Sequence, residues 1–438
     1  MIPQLRDIER KYEDTIAIIG VHSGKYRAER ETTRIRDAAQ RLGNAHPIIN
    51  DRQFRIWRAY AVSAWPTLAI VDPVGKLLGT SAGEFTAARL EPLLDRMVHA
   101  YGDAGLLVRG PRPSEPDAPT IAPGALRYPG KVAVDGDRIA IADSGHHRVL
   151  VARLDRAAAR AVVECVLGRG TPGFEDGAPG ALDMPQGLAF DGDTLYIADA
   201  GNHAIRAADL RTGALRTLAG TGRQLRTRDD QRAGAMSSPW DLTRMGGTLY
   251  IAMAGVHQLW ALDLATRETR IHAGTMREDI SDGANGAATL AQPMGIASDG
   301  ERVFFADAES SAIRSSELDP DGAVRTIVGT GLFDFGDRDG VGDAVLLQHP
   351  QGIARHPDGR LLVADTYNDA LKWIDPATRT ATTWIRGLHE PEGVACADEW
   401  AYVADTNAHQ VVRVGRDGRM DVLEIELEAR DRAEAVAG

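Results

Sequence analysis

MPQGLAFDGDTLYIADAGNHAIRA, residues 184–207, is the stretch on which the fold turns. A short apolar run, Leu188–Phe190, meets an Asp191–Gly192 turn; a second run, Leu195–Ala198, ends at Asp199. Gly201–His203 then turns the chain into a third run from Ala204. Runs of this length bounded by Asp, Gly and Asn read as β-strands joined by tight turns. The phrase recurs in phase from Tyr128, Ser238, Gln292, His349 and Glu390. Its leading prolines, Pro129, Pro185, Pro239, Pro293, Pro350 and Pro391, are spaced by 56, 54, 54, 57 and 41 residues. A fourth run follows within the unit, for example Ala161–Leu167 and Leu215–Ala219. Four short strands per unit, repeated at a nearly fixed period, predict a mainly β fold with a six-bladed β-propeller over residues 120–427. Closing the ring protects its strand edges, and alanine-rich inner strands suit the crowding near its axis.

Composition bounds the rest. The chain has 438 residues, 43% hydrophobic and 26% charged, which is ordinary globular composition and excludes a mainly disordered chain. A net charge of −12 argues against nucleic acid and anionic membrane as partners. No apolar stretch is long enough to span a bilayer, and no basic-then-apolar leader opens the sequence, so the expected location is the cytoplasm. The two cysteines, Cys165 and Cys396, are far apart and in no metal-ligand spacing. They exclude a disulfide scaffold, a cysteine zinc site and a CxxC redox turn within this chain.

The repeat resembles the NHL family of six-bladed propellers, through the in-phase P-x-G, the Ala-Asp ending the second strand, and the turn that follows. Ala219–Gly222, Val328–Gly331 and the Asp-Gly steps at Asp176, Asp282 and Asp339 carry the same family look. The third unit departs with Met253 in the Asp position, and the fourth with Ser311 in the turn His position.

Residues 1–101 alternate helical and strand patterns: a helix over 3–14, a strand over Thr15–Val21, a charged helix over Tyr26–Gly43, short strands at Ile48–Ile49, Thr67–Val71 and Leu77–Thr80, and a helix over Arg89–Tyr101. That is an α/β pattern. IGVHSGKY (19–26), HPIIND (46–51) and WPTLAIVDPVGKLLG (65–79) resemble the thioredoxin-like domain of proteins that fuse such a domain to an NHL propeller, the NHL repeat-containing protein 2 type. The resemblance implies that Pro66 matches that family's cis-proline. It also implies a strand and a CxxC-type turn ahead of the first helix, where this sequence begins. The strand would lie near the middle of the sheet, and unpaired backbone beside it is costly, of order 1–3 kcal/mol per buried group. A start upstream of Met1, a strand from a partner, or two flanking strands closing into a redox-inactive scaffold would each resolve this; the first is favoured. Residues 102–119 read as a Pro/Gly linker and 428–438 as a polar tail.

The candidate site residues are the turn histidines His147, His203, His257 and His409, and Arg223, Arg226, Arg228 and Arg232 in the second of four long inter-blade loops. The histidines could ring one mouth of the propeller or brace their own tight turns; in-phase recurrence favours bracing. The strand-end aspartates Asp143, Asp199, Asp307, Asp365 and Asp405 pose the same choice between a cation and turn amides, with the same answer. Asp337–Asp343 (DRDGVGD) superficially resembles a calcium loop but has Val341 where an oxygen side chain belongs and Gln348 where a Glu belongs. The off-pattern positions are Met253, Trp240 with Asp241, and Glu392.

The expected function is a propeller binding module, recruiting a protein, peptide or small ligand on its loop face, attached to a redox-inactive thioredoxin-like remnant without a cofactor. Two alternatives stay open: a fragment of a longer thiol–disulfide oxidoreductase, and a metal-dependent propeller hydrolase or lyase. Self-association as a structural platform is a further outcome.

Overall fold

Two units make up the computed structural model of the chain, Met1–Ala122 and Pro123–Gly438. The structure describes residues 2–83, 85–110 and 125–427. The expected tail at 428–438, and 111–119 of the expected linker, lie outside the described residues.

The second unit is a six-bladed propeller: six antiparallel sheets, each with its four main strands in chain order. In blade two the strands, a to d from the axis outward, are Pro185–Asp191, Thr194–Asp199, Ala204–Asp209 and Ala214–Ala219. The inner strands of blades one to six begin at Pro129, Pro185, Pro239, Pro293, Gly352 and Pro391 and pack edge to edge around the axis. Each b strand is buried along nearly its whole length and carries Ile, Val, Leu and Ala, which pack against the neighbouring blade.

Glycine two residues past the leading proline is a steric requirement. A Cβ on Gly187 would stand 2.5 Å from the Asp241 Cα, and one on Gly393 would stand 2.6 Å from the Gly130 carbonyl oxygen. The repeat's P-x-G thus records how closely adjacent inner strands approach.

The four-strand expectation misses how the outer edges are finished. Glu424–Glu426 pairs in parallel with Arg160–Leu167, the d strand of blade one, and so closes the ring. Gly283–Ala284 and Gly340–Val341, from the inter-blade loops, add rungs to the d strands of blades four and five.

The first unit holds helices Ile2–Lys11, Thr32–Arg41, Arg55–Ala59 and Ala87–Asp103. Ile8, Tyr12, Ala87 and Leu94 form its small core. Its strands form two separate pairs. Gly20–His22 lies parallel to Ile48–Asn50, and Thr67–Val71 is antiparallel to Leu77–Ala82. The expected strand from Thr15 shrinks to Gly20–His22 because its partner offers only three residues. The flanking strands do not close up on each other: the two pairs stay unjoined. The Trp65–Pro66 bond is cis. The last helix runs to Asp103, and the segment after it turns back, the Gly110 N–H donating to the Asp14 carbonyl at 3.1 Å. No helix among the described residues is long and apolar enough to cross a membrane.

Candidate functional site

Register decides which features share a face. Pro185 pairs with Asp199, Asp199 with Ala204, and Ile205 with Ala219. The start of strand a, the b–c turn and the end of strand d therefore meet at one end of a blade. The same register in the other blades gathers the b–c turns and the long inter-blade loops on one face.

The turn histidines do not converge on that face; they clasp seams. Nδ1 of His147, His203, His257 and His409 accepts the backbone N–H of Met184, Ser238, Gln292 and Tyr128, the residue before the leading proline of the following blade, at 3.0–3.2 Å. Where the histidine is missing, Ser311 Oγ accepts from the His349 N–H at 3.2 Å and Asp369 Oδ1 from the Glu390 N–H at 3.0 Å. Both partners of all six clasps are left-handed, with φ between 46° and 57°. None is glycine, so this strain is held by the seam. The expectation that each histidine braces its own turn is corrected here: the bond reaches the neighbouring blade. Burial, with the nearby Arg226 charge, pushes His203 down to about 4, consistent with a neutral acceptor.

The strand-end aspartates pin the same segment from the other side. Oδ1 of Asp143, Asp199, Asp307, Asp365 and Asp405 accepts the N–H two residues before the proline position of its own blade, at 2.5–2.8 Å. Oδ2 of Asp199 and Asp307 faces a fully buried guanidinium, Arg206 at 2.8 Å and Arg314 at 3.0 Å. These cations also reach the loop aspartates Asp176 and Asp282, and Lys372 likewise bonds Asp339 at 2.8 Å and Asp337 at 2.9 Å. The calcium-like loop thus has an ammonium between two of its carboxylates. Burial raises Asp199 to about 6 and Asp365 to about 7. Blade three drops both charges together: Met253 replaces the aspartate and Trp260 the cation, its Nε1 donating to Gln258 Oε1 while Gln258 donates to the Gly274 carbonyl.

Two of the four loop arginines, Arg226 and Arg232, have partners close in sequence. Arg223 and Arg226 are exposed, and the Arg226 guanidinium bonds Gln224 Oε1 at 2.7 Å. Arg228–Arg232 is a short helix capped by Thr227 and Asp230. Arg232 stands 3.2 Å from Asp229, and the Arg228 side chain lies outside the described ones. Two acidic neighbours offset the basic run.

At the axis, sequence reasoning noted Asp241 but missed its partner. Among the residues two past the leading proline, only Lys131 and Asp241 are not glycine. Their opposite charges were the available signal. The Lys131 side chain crosses the axis to donate to the carbonyls of Met294, at 2.9 Å, and Gln351, and lies 3.6 Å from Asp241. An axial metal would meet this fixed cation. Among the described residues no cluster of three or more His, Cys, Asp or Glu is placed to hold a metal. Cys165 lies on the d strand of blade one and Cys396 on the innermost of blade six, where burial pushes the Cys396 thiol up to about 12.

The NHL repeat family model matches residues 126–152, the inner hairpin of blade one with its b–c turn. The propeller is of the NHL-repeat type. The chain is 34% identical to Protein SUPPRESSOR OF QUENCHING 1, chloroplastic, of Arabidopsis thaliana, over 98% of this chain and 44% of that protein. It is 35% identical to human NHL repeat-containing protein 2, over 94% of this chain and 64% of that protein. The chain therefore spans between roughly two fifths and two thirds of the length of these relatives. A solved streptogramin B lyase aligns over 71% of the chain at 12% identity and a TM-score of 0.45.

Proposed function

We propose that the NHL propeller is a binding module that takes a protein or peptide across the face bearing its inter-blade loops. One observation carries this reading. Successive long loops of that face expose Phe174 (37%), Met276 (49%) and Phe333 (71%), interleaved with the exposed Arg223 and Arg226. Apolar anchors beside cationic side chains on one rigid scaffold are what peptide recognition uses. The clasps and ion pairs beneath them bond within the propeller.

Panning the chain against a displayed peptide library tests this. Binding of enriched peptides should drop at least tenfold in a Met276→Asp/Phe333→Asp variant and persist in Arg211→Glu, on the opposite face. Peptides that lose binding only with Arg211→Glu, or no enrichment, would overturn the reading.

We read the first unit as thioredoxin-like, supported by its parallel pair, its antiparallel hairpin and the helix that follows. This chain supplies it with no cysteine. The chain of 438 residues should therefore reduce insulin disulfides no faster than a protein-free control, in a turbidity assay with dithiol present.

A further inference from the structure

We infer that the centre of the propeller is a site for a small monovalent cation, which this chain fills with its own Lys131 ammonium. Lys131 is 3% exposed. The buried Glu392 carboxylate of blade six adds its negative charge, and oxygens from three other blades stand around the Nζ. They are the Met294 carbonyl at 2.9 Å from blade four, the Gln351 carbonyl from blade five, and Asp241 Oδ2 at 3.6 Å from blade three. The carboxylate is fixed in turn by the N–H of Leu242 at 2.9 Å and of Ile296 at 3.1 Å. Burial pushes Lys131 down and Asp241 up, and their mutual attraction opposes both shifts.

The level is reserved for this contact. In the remaining blades the same position is glycine, and at Gly187, Gly295, Gly352 and Gly393 a Cβ would stand 2.5–2.8 Å from the next inner strand. The site thus reads as a cation surrounded by carbonyls and a carboxylate, with the cation covalently tethered to blade one. Most other contacts join neighbouring blades. This one joins blade one to blades three, four and five at once, which turns a chain of neighbour contacts into an all-or-none ring.

Chemical rescue tests it in the full chain. Lys131→Ala should melt several degrees below the parent. Methylammonium chloride should recover part of that loss, and tetramethylammonium chloride at equal ionic strength should not, being too large and without N–H donors. Recovery by potassium as well would mean that size and charge suffice; recovery by methylammonium alone would mean that the site requires N–H donors. Equal melts in methylammonium and tetramethylammonium would overturn the inference. If Lys131→Ala does not accumulate folded, refolding from urea gives the same comparison: methylammonium should at least double the refolded fraction, and an unchanged fraction overturns the inference. Lys131→Met should also be destabilised, because it leaves the oxygens unpaired; a parent-like melt would overturn the site. Asp241→Asn should cost stability in the parent but little in Lys131→Met, and additive losses would count against the pair.

Discussion

A histidine Nδ1 that accepts a backbone N–H works only while it is neutral, since a protonated ring has donors on both nitrogens. His203→Leu leaves the Ser238 N–H without its acceptor and should cost about 1–2 kcal/mol, read from denaturant melts at pH 7.5. His203→Asn, which keeps an oxygen and tolerates the left-handed backbone, should cost less. The pH dependence has a definite sign. His203 is lowered in the folded state from 6.5 to about 4, so the unfolded chain binds the proton more readily. Its contribution is intact above pH 6.5 and is lost as pH falls toward about 4. Asp199, raised to about 6, acts oppositely between 6 and 3.8, so the usable readout is the difference between the parent and His203→Asn. That difference should shrink on acidification; a constant difference would refute a neutral acceptor.

Within a blade the buried cation on strand c ties strand b to the loop that enters the blade. Arg206 bonds Asp199, Asp176 and the carbonyls of Ala181 and Glu175. Arg206→Leu removes the counter-charge of the buried Asp199 carboxylate and one donor from each of two carbonyls, and should cost about 3–5 kcal/mol. Adding Asp199→Met, the choice blade three makes at Met253, should recover the carboxylate's share and not the carbonyls'; thermal melts of both variants check it. The edge strand Glu424–Glu426 supports a matching expectation. A chain ending at Val422 should melt at least 5 °C below one ending at Leu427, because it opens the outer edge of blade one. Equal melting points would show that the inner contacts of the seam, the His409–Tyr128 clasp among them, close the ring without the edge strand.

For the molecule as a whole, the division at residue 122 predicts that the fragment 123–438 unfolds in one cooperative transition, seen by calorimetry. A broad, gradual melt would contradict a closed ring. The axis sharpens the functional reading at this scale. With Lys131 across its centre, the axis is filled at that level by a side chain of the propeller itself, and the proposed binding reading rests on the loop face.

The repeat was legible because a blade is local: its strands, turns and P-x-G glycine fall within one short phrase, and their periodicity survives without any knowledge of what packs where. The helix-and-strand alternation of the first unit was legible for the same reason. Cys165 and Cys396 could be placed on outer and inner strands from periodicity alone. What the phrase could not disclose were bonds between phrases. His203 and Ser238 are 35 residues apart, Lys131 and Gln351 220, and the strand that closes blade one comes from the far end of the propeller. The strand pairing of the first unit likewise depended on partners. Sequence by itself determined the blades, because turn chemistry and side-chain alternation act over a few residues; the tertiary structure alone decided the seams, the axis and the closure, because those contacts exist only once ring geometry brings distant residues within hydrogen-bond reach.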